Sequence, residues 1–382
     1  MLTSPLAFLR TMAANAAKRI KTDCGALTIG THNGHFHADE ALAVYMLRQH
    51  VPKYTGARLV RTRDPALLET CDIVVDVGGE YEPSRDRYDH HQRTFTTTFP
   101  DHQTKLSSAG LVYMHFGKGI ISRSLPDTPV EDSEKVGLIW NKLYDSFVEA
   151  LDAHDNGISV YDSDALKAAG IEKRFSNGGF TLGAMVGRFN GNWNDPVPSD
   201  PVAAQAEEDG RFEQASQRVG EEFDRALIYY TKAWLPARDV VETAYKARKE
   251  YDAEGRILVL KGQSAPWKDH LYTLEEEQGE GVQRVIYVLY AEKPAPDAKW
   301  RVQCVPETGD SFQSRKPLPE AWRGFRDEKL DDITGIQGGV FVHAAGFIGG
   351  NKTFDGALAM AKKALEEEAS AAEKIAKLVG VC

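Results

Sequence analysis

Histidine and aspartate residues cluster at four places before residue 160 of this 382-residue chain, each close to an apolar run. The four stretches read HNGHFHADE at residues 32–40, DIVVDVGG at 72–79, DHH at 89–91 and DAHDNG at 152–157. Neutral imidazoles and carboxylates bind divalent ions, and a set rich in oxygen without a nearby thiolate favours Mn²⁺ and Mg²⁺. These donors are numerous enough for two ions, which together activate water for attack on phosphorus.

The residue predicted to bridge two ions is Asp76, because it ends the most continuously apolar run in this part of the chain. The other predicted ligands lie on either side of it: His32, His37 and Asp39 on one, and His90 and Asp155 on the other. The fourth stretch leaves Asp152 open as an alternative to Asp155.

Three residues are predicted to take part in catalysis itself, namely Asp76, Asp89 and His91. We expect His91 to contact a phosphate or the leaving oxygen. Asp89 has an alternative role, in which it orients a ligand histidine by accepting its second ring N–H. Taken alone, Asp76 before two glycines and Asp155 in Asp-Asn-Gly are typical turn residues. Four such stretches in one domain favour a site over four unrelated turns.

The elements that must position these residues alternate between strand and helix. Apolar runs at 26–30, 58–61 and 73–77 are typical of strands, and periodic patterns at 39–49, 108–116 and 136–151 are typical of helices. The alternation predicts a parallel sheet covered by helices, with ligands bound beyond the carboxyl ends of its strands. The residues that follow these runs are expected to meet at that edge.

The second half of the chain predicts a smaller α/β domain. Strand patterns occur at 256–260, 284–290, 300–305 and 340–343, before a helical pattern at 355–369. We therefore predict an α/β protein in four segments: a targeting segment at 1–22, a parallel-sheet domain with the candidate metal ligands at 23–200, a helical connector at 201–250 and a second α/β domain at 251–382.

Substrate contacts are predicted mainly in the second domain. The glycines around Gly338-Gly339 are expected to form a backbone nest that binds phosphate. The side chains predicted to bind substrate are His343, Lys352, Arg315 and Arg323, with Arg188 as a further phosphate clamp near the end of the first domain. In the alternative interpretation the arginines belong to a solvated face.

The net charge of −10 argues against nucleic-acid binding through a broad basic face, but not against an enzyme whose metal ions neutralise phosphate. Residues 1–22 hold four basic and no acidic side chains, with apolar residues at helical spacing, as in a mitochondrial transit peptide. A disordered tail is the alternative for this segment. No run approaches the roughly 18 apolar residues of a membrane span, so no membrane partner is expected, and the oligomeric state is left open.

The order HxxxxHxD, strand-ending Asp, DHH and DxxDNG resembles the DHH phosphoesterase superfamily of exonucleases, phosphodiesterases and pyrophosphatases. Longer motifs are similar to one branch, the Myg family, named from a melanocyte proliferating gene. They lie at residues 30–34, 36–43, 72–81, 88–93, 104–111, 311–315, 318–324 and 341–350. One departure concerns His37, because many DHH enzymes have Asp there and one residue less after the first histidine.

The resemblance implies a 3′→5′ RNA exonuclease of mitochondria and nucleus that uses two divalent ions, Mn²⁺ or Mg²⁺. It also implies a DHH catalytic domain at 23–200, followed by a smaller substrate-binding domain at 251–382, with RNA as substrate. It favours Asp155 over Asp152 as the fourth ligand. Two other functions are kept as alternatives. One is a phosphatase of pyrophosphate, polyphosphate or dinucleotides, and the other is a metal-binding scaffold without turnover.

Overall fold

The computed structural model describes residues 26–125, 133–176, 178–262, 264–279, 281, 283–309 and 311–367. They belong to two compact units that divide between Thr231 and Lys232. The predicted targeting segment at 1–22 lies outside the described residues. Within the described residues, no helix is both long enough and apolar enough to cross a membrane.

The first unit opens with alternating strands and helices, as predicted. Its strands are β1 (Thr28–Thr31), β2 (Arg58–Arg61), β3 (Ile73–Val75), β4 (Tyr81–Glu82) and β5 (Arg87–Tyr88). Its helices are α1 (Ala38–His50), α2 (Pro65–Glu69), α3 (Ser108–Ser124), α4 (Glu134–Leu143), α5 (Glu149–Asp155), α6 (Ser163–Ala168), α7 (Leu182–Gly187) and α8 (Pro201–Tyr229). A π-helical turn at Tyr144–Val148 separates α4 from α5, where the sequence predicted one continuous helix.

The described strands of this unit form one sheet in the order β2-β1-β3-β5-β4. The first three pairings are parallel, and only β4 runs antiparallel to β5. The carboxyl ends of β1, β3 and β5 therefore meet at one edge, and the parallel α/β fold predicted for this half is confirmed. The residues that follow these three strands are His32, Asp76 and Asp89.

The apolar sequence of β3 explains why it lies at the centre of the sheet. Ile73, Val74 and Val75 are each at most 2% exposed, and burial of each such side chain contributes roughly 1.5–3 kcal/mol. Helix α1 covers this sheet with a run of fully buried residues from Ala41 to Val44. A rigid scaffold of this kind fixes the strand ends, and hence the side chains that extend from them.

Helix α8 belongs to the first unit, whereas the sequence placed it in a connector at 201–250. The Ser216 hydroxyl donates to the Ala41 carbonyl at 2.7 Å, and the Tyr45 hydroxyl donates to Asp224 at 2.8 Å. A Cβ at Gly220 would lie 2.1 Å from the Tyr45 ring, so only glycine permits this close packing. Tertiary packing along one face of α8 thus assigns it to the catalytic half.

The second unit is also α/β, as predicted. Its strands are β6 (Ile257–Leu260), β7 (Tyr287–Ala291), β8 (Trp300–Cys304), β9 (Gly339–Val342) and β10 (Ile348–Asn351). Its helices are α9 (Leu235–Ala247), α10 (Lys268–Gln278), α11 (Asp327–Thr334) and α12 (Phe354–Glu366). The described strands are ordered β6-β7-β8-β10-β9, and only β6 and β7 pair in parallel.

The sheet of the second unit has two apolar clusters, one on each face. Helices α11 and α12 pack Leu330 and Met360 against Val302 and Val342. On the other face, α9 and α10 pack against Leu258 and its neighbours on β6 and β7. The second half of the predicted connector is therefore part of this unit's core.

Candidate metal centre

Side chains from three adjacent strand ends converge at the carboxyl edge of the first sheet. His32 Nε2 lies 3.3 Å from Asp76 Oδ2, and His90 Nε2 lies 3.1 Å from Asp76 Oδ1. Asp155, at the end of α5, places its Oδ2 3.1 Å from His90 Nε2. The four sequence stretches thus meet around Asp76, which is 4% exposed.

Three groups of donors in this cluster have the geometry to hold a metal ion. They are His32, His37, Glu40 and Asp76; Asp76, His90 and His91; and His37, Asp39 and Asp155. Asp76 belongs to two of these groups, the position expected of a bridging ligand. The grouping of Asp39 differs from the prediction, because it lies with Asp155 rather than with His32.

The chemistry of Asp39 fits a cation. Its carboxylate is 1% exposed, and neither oxygen has a hydrogen-bond partner among the described residues. Burial and the nearby charges of Asp76 and Asp155 raise its pKa well above the ordinary value. An ionised carboxylate buried in this way is costly unless it is paired or binds a metal, so hard divalent ions suit this donor set.

The histidines of the cluster are held by the surrounding carboxylates. Burial opposes protonation of His32, but hydrogen bonds to Asp76 and Glu40 raise its pKa to about 10. Burial likewise opposes protonation of His90, and contacts with Asp155 and Asp76 raise its pKa to about 9. Because a ring nitrogen must be deprotonated to bind a metal, ions compete with protons for these sites.

The pKa of Asp76 is shifted in the opposite direction, below its ordinary value. Burial favours its neutral form, yet the hydrogen bonds from His32 and His90 hold its pKa below the ordinary value. Ser108, the first residue of α3, donates its hydroxyl to Asp76 Oδ1 at 3.0 Å. Asp76 is therefore fixed as an ionised carboxylate with oxygens directed at two histidines.

Asp89 accepts hydrogen bonds that orient the two histidines after it. Its Oδ1 accepts from the backbone N–H of His90 and lies 2.7 Å from His91 Nδ1, while Oδ2 accepts from the Gly79 N–H. These contacts leave it outside the three donor groups, in keeping with the alternative role considered for it. The hydrogen bond to Asp89 raises the pKa of His91, whose side chain is 62% exposed.

Asp152 does not share the position of Asp155. Its Oδ1 accepts from the Ser107 N–H, the Ser107 hydroxyl and the Gly110 N–H, and its Oδ2 accepts from Tyr144. It thereby caps the beginning of α3, outside the three donor groups. The geometry favours Asp155 as the ligand from this stretch.

The cluster lies in a cavity of about 900 Å³ whose lining includes residues that sequence reasoning missed. Of the missed residues, Arg63, Lys105 and His154 line the cavity. Glu40 and Ser108 contact the cluster but are not part of the lining. Glu40 had a signal, since it stands three residues after His37 and accepts its backbone N–H, as in a capping box. Lys105 and Ser108 had the motif at 104–111 as a signal. Arg63 had none, because only the fold brings it to the cavity.

A family model, MYG1_exonuc, described as "Uncharacterised protein family (UPF0160)", matches residues 28–365. This chain belongs to that family. The MYG1 exonuclease of Homo sapiens is 48% identical over 345 residues, which cover 89% of this chain and 86% of the human protein. The MYG1 protein C27H6.8 of Caenorhabditis elegans is 46% identical over 344 residues, covering 88% of this chain and 95% of the worm protein. The family resemblance derived from the motifs is confirmed.

One solved structure, a crystal structure of exonuclease RecJ bound to manganese, covers 94% of this chain and 95% of that chain. The identity is 14% and the TM-score 0.23. A likeness at this level supports no inference about the MYG1-family chain.

The predicted phosphate nest of this MYG1-family chain is already filled by a carboxylate. The N–H of Gly338 donates to Asp331 Oδ2 and that of Gly339 to Oδ1. His343 and Lys352 flank the β9–β10 hairpin at opposite ends, about 13 Å apart along its four-residue strands. The predicted nest at Gly338-Gly339 is therefore occupied by Asp331 and not free for phosphate, while the substrate-binding roles of His343 and Lys352 stay predictions.

The three arginines predicted to bind substrate differ in burial and in hydrogen-bond partners. Arg315 is 5% exposed and paired with Glu275 through both terminal nitrogens, so its role as a substrate contact is corrected to a structural one. Arg323 Nε donates to the Leu318 carbonyl at 2.9 Å. Arg188 is exposed, and its Nη1 donates to the Gly179 carbonyl at 3.3 Å.

A row of side chains crosses the second sheet of this MYG1-family chain, and sequence reasoning missed it. Tyr290, Arg301, Gly350 and Phe341 are paired in register across four strands, and Arg326 bridges to Phe341. The Arg301 and Arg326 guanidinium carbons lie 4.8 and 5.5 Å from the Phe341 ring centre. Arg301 Nη1 is buried without a hydrogen-bond partner among the described residues.

Proposed function

We propose that this protein is a metal-dependent phosphodiesterase that removes nucleotides from the 3′ end of RNA. One observation carries the proposal: a buried Asp39 carboxylate, without a hydrogen-bond partner among the described residues, lies within a His and carboxylate cluster that Asp76 connects. The exonuclease names of the mammalian relatives support a nucleic-acid substrate. The expected ligands are His32, His37, Asp39, Asp76, His90 and Asp155, with Glu40 added by its position.

Divalent ions, when bound, supply positive charge and lower the pKa of a water molecule. The protein's own contribution is orientation. Asp76 and Ser108 fix the centre of the cluster, and Asp89 holds the His91 ring through Nδ1. We expect His91 Nε2 to donate to a phosphoryl oxygen, because the ring lines the cavity and its raised pKa favours the protonated form.

Lys105 and Arg63 are proposed to bind the charged backbone of the strand. Both line the cavity, and Lys105 Nζ lies 5.5 Å from the Phe95 ring centre, beside the DHH turn. Two cations at the mouth of an acidic cluster offset its repulsion of a polyanion.

The proposal is tested with purified protein on 5′-labelled single-stranded RNA, DNA of the same sequence, and pyrophosphate, each with Mn²⁺ or Mg²⁺. A 3′→5′ exonuclease gives a ladder of shortened labelled RNA, whereas digestion from the 5′ end releases the label at once as a mononucleotide. Hydrolysis of pyrophosphate without cleavage of RNA would instead support the small-molecule phosphatase.

We also propose that the protein acts in mitochondria and the nucleus, with residues 1–22 directing import to the mitochondrial matrix. The support is the basic, acid-free composition of this segment. Fluorescent fusions of the full chain and of a chain lacking residues 1–22 should differ in mitochondrial signal. Equal signals from the two fusions would contradict the targeting role.

A further inference from the structure

An exposed aromatic side chain stands at the edge of the catalytic cavity. Residues 178–188 form what we call the rim segment, in which Gly178, Thr181 and Gly183 line the cavity. Phe180, between Gly179 and Thr181, is 99% exposed. The Phe180 ring is not part of the folded core, and its neighbours in the chain line the cavity, so an apolar face is available to a ligand that enters there.

The rim segment is fixed to the metal centre by close packing. A Cβ at Gly183 would lie 2.3 Å from His154 Nε2, and His154 directly precedes the ligand candidate Asp155. The Thr181 hydroxyl accepts the Ala184 N–H and so determines where α7 begins. Phe180 is therefore attached to elements that also position the metal ligands.

Positive charge lies next to the exposed ring. Arg188 donates to the carbonyl of Gly179, one residue before Phe180. Arg63 and Lys105 line the same cavity. An aromatic face interleaved with cations, leading into a phosphate-hydrolysing site, is the pattern by which proteins bind unpaired nucleotides.

We propose that Phe180 stacks on an unpaired base of a single-stranded nucleic acid while Arg188 binds the adjoining phosphate. This inference rests on the proposed function and adds how the strand is held. Stacking needs a planar π face, so Phe180→Trp retains it, whereas Phe180→Leu keeps an apolar side chain but removes the ring. Trp193, 98% exposed, provides a matched control, because its neighbour Asn192 lines a smaller cavity of about 220 Å³ that shares only His35 and Phe36 with the catalytic one.

The experiment measures equilibrium binding, by fluorescence anisotropy, of a labelled single-stranded RNA whose phosphorothioate linkages resist cleavage, with full-length protein and Mn²⁺. A second probe has the same backbone but abasic residues. Phe180→Leu should raise Kd for the intact probe roughly 5- to 100-fold. Phe180→Trp and Trp193→Leu should bind as the wild type does, and the abasic probe should bind wild type and Phe180→Leu equally.

Unchanged binding by Phe180→Leu, or an equal loss on the abasic probe, overturns the inference. A change in mass by light scattering with unchanged RNA binding also overturns it, since the ring then serves self-association. Cleavage of unmodified RNA by the wild type, assayed in parallel, tests the proposed function separately. Cleavage without Phe180-dependent binding refutes only the stacking, and Phe180-dependent binding without cleavage refutes only the exonuclease.

Discussion

At the scale of single residues, the backbone of Asp76 is as informative as its carboxylate. Its φ of 60° lies in the left-handed region, which Asp and Asn enter more readily than other non-glycine residues. The position therefore needs both a carboxylate for the metal and a side chain compatible with this backbone. An Ala at this position would mix backbone strain with loss of the ligand.

Asp76→Asn separates the two effects. The amide fits the left-handed backbone and can still accept from Ser108, but it carries no charge for a metal. We expect RNA hydrolysis to fall by at least about 100-fold, since even changes to residues behind a metal ligand cost 10- to 100-fold. Product formation is measured at saturating Mn²⁺, with thermal melting as the control for folding. Hydrolysis at the wild-type rate would refute the mechanism, whereas metal binding without hydrolysis by the wild type itself would favour the metal-binding scaffold.

At the scale of elements, the beginning of α3 depends on one buried carboxylate. Asp152 accepts three hydrogen bonds there, and α3 in turn places Ser108 against Asp76. Gly110 permits this approach, because a Cβ would lie 2.3 Å from Asp152 Oδ2. Asp152 is thus a positioning residue that acts through a helix.

Gly110→Ala should lower the free energy of unfolding by roughly 1–3 kcal/mol, the usual cost of overpacking, and reduce hydrolysis by displacing Ser108. Gly137 in α4 is the matched control, since a Cβ there meets nothing within 4 Å. Gly137→Ala should stabilise by about 0.5–1 kcal/mol through helix propensity. Urea denaturation and RNA hydrolysis measure both effects, and equal stability changes in the two variants would contradict the close packing.

The same carboxylate should make stability depend on pH. Burial raises the pKa of Asp152 to about 6, against the opposing hydrogen bonds from Ser107, Tyr144 and Gly110. The folded chain therefore binds this proton more tightly than the unfolded chain does. The resulting stabilisation is complete below about pH 4 and is lost as the pH rises through 6.

Asp152→Asn removes that titration. Relative to the variant, the wild type should lose about 1 kcal/mol of unfolding free energy between pH 5 and pH 7. Urea denaturation of both proteins at the two pH values measures the difference. A difference that does not change with pH would show that Asp152 stays ionised throughout this range.

At the scale of the whole molecule, metal binding should be coupled to global stability. The acidic cluster joins β1, β3, β5, α1 and α5, so an ion held there stabilises the entire first unit. Manganese at a hundred times its Kd should add about 2.7 kcal/mol. Thermal melting after treatment with a chelator, followed by titration with Mn²⁺, measures this gain.

Asp39→Asn tests the origin of the coupling. Because Asp39 is buried without a hydrogen-bond partner among the described residues, removing its charge should stabilise the metal-free protein. The same change should reduce the gain from Mn²⁺. A variant that is less stable without metal and gains as much from Mn²⁺ as the wild type would show that Asp39 is no ligand.

The sequence by itself determined the parallel α/β fold of the first unit and the convergence at its sheet edge. Alternating apolar runs define β1 and β3, and the carboxyl ends of parallel strands must share one edge, so His32 and Asp76 could be placed together. The motif order also determined the family. These features are local in sequence, or follow from the handedness and direction of strands.

Only the tertiary structure decided which candidate donors lie close enough to share an ion and which carboxylates are structural. Asp152 and Asp155 stand three residues apart in one stretch, yet one caps α3 and the other faces His90. Arg315 and the Gly338 amide looked suited to phosphate but are satisfied by Glu275 and Asp331. The physical reason is that the partner of a charged or polar group comes from distant parts of the chain, and no local pattern records it.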